Sequence, residues 1–246
     1  MKVISALAVS IAVMFLIAIM TPSALAQETN ALLPEPGILP DNHLYVLKRV
    51  FEMIWTSWTF SNDARASRAL ELAQTRLAEA RAMANADKSE FVASLLDQYT
   101  TELENANRLA AALTDDKKPD VSEKIAVVTS GHISVLDDME KKVPDNAKPA
   151  VIMARENSIK ENMQAIEDLG AEKPEKAAEI AKYVAQASMK DAFEANRGGN
   201  QHEVQRALKE GKAYEDLANR LNTNAKEVEK YHSEGKQKSD NLTKSH

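Results

Sequence analysis

The stretch DARASRALELAQTRLAEARAMANA, Asp63 to Ala86, decides the fold class. Ala66, Ala69, Leu70, Ala73, Leu77 and Ala80 recur at three- and four-residue steps, which places them on one side of a helix. Small side chains let a neighbouring helix approach closely, so this face asks for a helical partner. Just upstream lies LPDNHLYVLKRVFEMIWTSWTF, residues 39 to 60, which holds both tryptophans of a chain that is only 5% aromatic. Leu44, Leu47, Phe51, Ile54, Trp55 and Trp58 also share one helical face. Three destinations compete for Phe51, Trp55 and Trp58: the packing seam of a bundle, a protein-binding groove, or a membrane surface. The expectation is the first, with the bulky rings set against the alanine face of the next helix. A membrane-surface helix favours a strongly basic polar side, and only Lys48 and Arg49 supply one here.

Helical punctuation continues along the chain. Asp41 or Asn42 can cap the first helix and Ser61 or Asn62 the second. A third helix from near Ser89 carries Phe91, Leu95, Tyr99, Leu103, Ala106, Leu109 and Leu113. Asp120 is expected to cap a fourth, with Val121, Ile125, Val128, His132, Ile133, Leu136 and Met139 in its stripe. A fifth covers 147 to 169, with Gly170 in the place of a left-handed cap. Pro174 opens a sixth, which Gly198 and Gly199 end. The last starts near 201 and fades beyond Val228 into a polar tail. No segment alternates with period two for long enough to require a sheet.

Composition agrees with long helices. The chain has 246 residues with 7 glycines and 8 prolines, and 28% of residues are charged. The formal net charge of -6 gives no global reason to bind nucleic acid. The absence of cysteine excludes disulfides, thiolate nucleophiles and a lipidated cysteine. At the N-terminus, Lys2, an apolar run from Val3 to Met20 and Ala24-Leu25-Ala26 before Gln27 form a signal peptide with an A-x-A site. An uncleaved anchor is the alternative, because the run is about the length that spans a bilayer. Either form implies export.

The five histidines, His43, His132, His202, His232 and His246, are widely separated and match no ligand spacing. His132 lies on an apolar stripe and reads as a core residue. The carboxylate pairs Glu71 and Glu79, Glu102 and Glu104, and Asp137 and Asp138 fall on what read as solvated faces. So do the charge patterns Glu71, Arg76, Glu79, Arg81 and Glu156, Lys160, Glu161. No phosphate loop, nucleophile elbow, cofactor site or metal site emerges. Asn241-Leu242-Thr243 is a weak glycosylation sequon.

PGILPDNHLYVLKRVFEMIWTSWTFSNDARASRALELAQTRLAEARAM, Pro36 to Met83, resembles an exported prokaryotic helical domain family of unknown function. The shared features are a PG-x-LPD leader, LY-x-LKR, an LTF-like turn and an LxxAxxRLxEA helix. Trp58-Thr59-Phe60 departs from the turn at its first position. His132 to Ser158 looks like the second half of the same domain, so the likeness covers about Pro36 to Leu169. It implies a secreted or tethered helical domain and carries no catalytic residues.

The expected organisation is all-α: an elongated up-and-down bundle or array of helical hairpins after a signal peptide. Its parts are a signal segment at 1–26, an extended leader at 27–40, a helical domain at 41–170, a helical hairpin at 171–230 and a disordered polar tail at 231–246. The expected role is a non-enzymatic, extracytoplasmic scaffold with a protein partner or self-association, touching membrane only through an uncleaved N-terminus. The alternative is a chaperone or stress protein that holds clients on apolar helix faces.

Overall fold

A computed structural model describes residues 33–243, with side chains through residue 227. The signal segment, its Ala26–Gln27 junction and the first part of the leader lie outside the described residues, as do the side chains of His232, Asn241 and His246. Within them the chain forms seven α-helices and no strand: α1 (Tyr45–Ser57), α2 (Asn62–Asn85), α3 (Val92–Ala111), α4 (Lys118–Lys142), α5 (Lys148–Gly170), α6 (Pro174–Arg197) and α7 (Gln201–Thr243). The all-α expectation holds.

Helices α2 to α7 pair as three antiparallel hairpins, α2 with α3, α4 with α5 and α6 with α7. Neighbouring hairpins join through α3 against α5, α2 against α4 and α5 against α6. One hydrophobic core runs through all six helices, from Ala66 to Leu221. The alanine stripe of α2 is buried as its spacing requires, but its partner is α3, through Val92, Leu95, Leu96, Tyr99 and Leu103.

Polar side chains set the register of these helices. On α5, Arg155 reaches Asp137 of α4 and Glu210 of α7, with Nε to Oδ1 at 2.5 Å and Nη2 to Oε2 at 2.7 Å. Ser188 of α6 donates to the same Glu210. One turn on, Ser158 meets the Tyr99 hydroxyl of α3, which also lies 3.1 Å from His132 Nδ1 of α4. Another turn on, Asn162 donates to the Ala126 carbonyl of α4 at 2.6 Å and accepts from the Tyr214 hydroxyl of α7 at 2.9 Å. Arg155, Ser158 and Asn162 stand at three- and four-residue steps, so one side of α5 pins three neighbours. A slide of one turn along any of them would leave buried polar groups unpaired.

Several local expectations change. Asn42 Oδ1 accepts from the Leu44 N–H at 2.9 Å at the start of α1, whereas the Ser61 side chain makes no cap bond to α2. Helix α4 begins at Lys118 with Pro119 in its first turn, so Asp120 sits inside the helix and pairs with Lys173 instead of capping. Gly170 is not left-handed. It ends α5 at a site where a Cβ would run into Leu221 of α7, so close approach is what requires glycine there. Gly199 does take a left-handed φ of 74°.

The polar tail is also corrected, because α7 stays helical to Thr243. At about 1.5 Å per residue its 43 residues span roughly 65 Å. The apolar stripe fades near Val228 in the sequence, but Glu, Lys and Gln are good helix formers and no proline interrupts them.

Candidate functional site

The rings of α1 are not in the core. Phe51, Trp55, Trp58 and Phe60 are 69%, 70%, 74% and 89% exposed, and no residue of α1 is buried. Val46, Leu47, Val50, Met53 and Ile54 are exposed with them. This overturns the expectation that the bulky face of α1 packs on the alanines of α2.

The reason is what lies on the opposite side of α1. At 100° per residue, Tyr45, Lys48, Arg49, Glu52 and Thr56 fall within one narrow arc, and the apolar residues sweep the remaining half-turn and more. The polar arc is the side that meets α2. Arg76 and Glu79 of α2 have no exposure at all. Arg76 Nη1 lies 2.7 and 2.6 Å from the two Glu79 carboxylate oxygens, and its Nη2 donates to Glu52 of α1. Lys48 donates to Glu79 at 2.5 Å, and the Tyr45 hydroxyl donates to the other Glu79 oxygen at 2.8 Å. Lys48 also donates to the Pro36 carbonyl at 2.6 Å and the Ile38 carbonyl at 3.1 Å. Leu33 and Leu39 of that leader pack against the core.

Two ions buried on α2 cannot be left without partners, since a lone buried charge costs several kcal/mol. The polar arc of α1 supplies those partners, and its apolar arc is thereby turned outward. Each large side chain left in water forgoes about 1.5–3 kcal/mol relative to burial, so the exposed face is an expensive feature. Burial, then the bond to Glu79, pushes the Tyr45 phenol up to about 12. Burial pulls Arg76 down, but Glu79 and Glu52 outweigh it and leave the guanidinium raised. At neutral pH Tyr45 is therefore a neutral phenol that donates to Glu79, and Arg76 is a guanidinium cation.

Sequence patterning misread these ions. Arg76 and Glu79, placed on a solvated face, are interior, as are Asp137 and Glu161. Their spacing held the signal: Arg76 stands three residues after Ala73 and four before Ala80, on the buried stripe itself. Glu71 is exposed, as expected.

His132 is buried, and burial lowers its pKa to about 3. Its Nδ1 faces Tyr99, while its Nε2 has no partner. His43 and His202 are on the surface. No three His, Asp or Glu side chains among the described residues converge to hold a metal ion. No described helix is long and apolar enough to cross a membrane. Asn241 falls near the end of α7.

No curated protein and no solved structure matches the chain. Residues 37–146, from the leader through α4, match the model of a family described as a domain of unknown function, DUF5667. That span stops before α5, although α5 packs between α3, α4 and α6 in the same core. Over α1 to α4 and the leader that fastens α1, the chain is thus similar to an uncharacterised domain family.

Proposed function

We propose that this is an extracytoplasmic, non-catalytic helical module that works by contact, with the outward face of α1 as its working surface. The observation that carries the reading is the orientation of α1. An amphipathic helix ordinarily turns its apolar side inward; here buried ions hold the polar side in and present nine large apolar side chains to the outside. Contiguous exposed apolar surface on a folded domain marks a place of association. The N-terminal signal segment read in the sequence supports export, and the family match at residues 37–146 brings no activity that would argue for catalysis.

The test is a photocrosslinking residue at Trp55, with a control at exposed Lys190 of α6, in the native envelope. Adducts specific to Trp55 are expected. Equal labelling from both positions, or none from Trp55, overturns the reading.

The same exposed face favours a second reading, a chaperone that holds unfolded clients. It predicts that the chain suppresses aggregation of a reduced model protein and that Phe51→Ser with Ile54→Ser abolishes the effect. Undiminished suppression by that double variant rules it out.

A further inference from the structure

We propose that the apolar face of α1 rests on a lipid bilayer surface, with the helix axis in the plane of the interface. The inference rests on the reading of α1 as the working surface and names what that surface meets.

Shape argues for lipid over a second copy of the chain. Thirteen residues form a ridge about 20 Å long and about 10 Å wide. One such ridge against another covers far less than the roughly 800 Å² per partner of a stable interface. A bilayer needs no matching groove and can receive a convex ridge along its whole length.

Charge permits it. The chain carries -6 overall, yet between Asp41 and Asp63 the only acid is Glu52, which is held by Arg49 and Arg76. No free carboxylate stands among the exposed rings. An interfacial helix usually shows a basic polar side to water and headgroups. Here that side is covered by the protein's own body, with Lys48 bound to Glu79 and to the leader carbonyls. The domain takes the place of water on the polar side, so the usual demand for basic residues falls away. Binding driven by apolar area alone is then insensitive to salt and to anionic lipid.

Position agrees. The apolar run Val3–Met20 precedes α1 by the 24 residues from Thr21 to Leu44, which reach at most roughly 80 Å. Trp55 and Trp58 are the amphipathic ring type that settles at headgroup depth.

Both tryptophans of the chain are on this face, so selectively excited tryptophan emission reports on it. The full chain is co-inserted into phosphatidylcholine vesicles, with and without phosphatidylglycerol, during cell-free synthesis. The expected result is a blue-shifted emission and a several-fold loss of intensity when brominated phosphatidylcholine replaces the ordinary lipid. That loss should be the same at low and high salt and in both lipid mixtures. Phe51→Ser with Ile54→Ser should cancel the quenching while the chain still floats with the vesicles. Emission that stays open to aqueous iodide and indifferent to brominated lipid overturns the proposal, as does a chain that fails to float. A blue shift that needs no lipid and grows with protein concentration also overturns it, in favour of a second copy. In either failure, Trp55-specific crosslinks to protein would leave α1 as a contact surface with a different occupant.

Discussion

The guanidinium of Arg76 sits one turn before Glu79 on α2 and donates from one nitrogen to both of its carboxylate oxygens, at 2.7 and 2.6 Å, with neither side chain exposed. Replacing Arg76 removes two of the bonds to buried Glu79 and leaves Lys48 as its remaining counter-ion. Arg76→Met should therefore cost about 3–5 kcal/mol, whereas Arg76→Met with Glu79→Leu should recover most of that loss. Urea unfolding of the three chains decides it. A single variant that costs no more than the double would mean that water reaches Glu79 once Arg76 is gone.

The fastening of α1 is separable from the core. Lys48 and Glu52 tie it to α2, and no residue of α1 is fully buried. Lys48→Met with Glu52→Gln should raise amide hydrogen exchange across 45–57 by about tenfold or more while leaving the core helices protected. Exchange that stays slow in α1 would show that its attachment lies elsewhere.

These two clusters explain what the sequence conveyed and what it hid. The stripes of α2, α3, α4 and α6 follow from spacing alone, because burial there is decided by apolar residues at three- and four-residue steps. The site was hidden for the opposite reason. Tryptophan and phenylalanine read as core by type, and arginine and glutamate as surface by type. Both rules fail where a charge on the buried stripe finds its counter-ion on another helix. Glu52 and Arg76 are 24 residues apart in the chain, so no local pattern joins them. Gly170 was legible as a special position but not for its reason, which is Leu221 on a helix two elements later.

That close approach gives a direct test. A Cβ at Gly170 has no room beside Leu221 Cδ2, so Gly170→Ala should destabilise by about 1–3 kcal/mol, as overpacked cores do. Adding Leu221→Ala should return part of the loss. The helix-propensity gain of about 1 kcal/mol for alanine over glycine works the other way. A net stabilisation in thermal unfolding would therefore mean that α5 and α7 separate easily at this end.

Stability should also depend on pH through buried His132 and half-buried Asp191, which act in opposite directions. Burial lowers His132 to about 3, and Tyr99, its contact, carries no charge at these pH values. The folded state refuses the proton that the unfolded chain accepts near 6.5. Its contribution is whole above that value and is lost as pH falls toward 3, at up to about 1.4 kcal/mol per pH unit. Asp191 of α6 behaves in the reverse sense. Burial first, then Asp137 of α4, raises it to about 6; Lys141 opposes the rise, while Glu194 and Glu210 add to it. Its charge burdens the fold at pH 7, and the burden lifts between about 6 and about 4 as the carboxyl takes up a proton. Asp191→Asn should accordingly stabilise the chain at pH 7 and lose that advantage by about pH 4. His132→Gln, which keeps a polar partner for Tyr99, should gain on the parent chain as pH falls below about 6.5. Urea midpoints at pH 7, 6, 5 and 4 separate the two. Parallel curves for all three chains would show that neither group changes its proton affinity on folding.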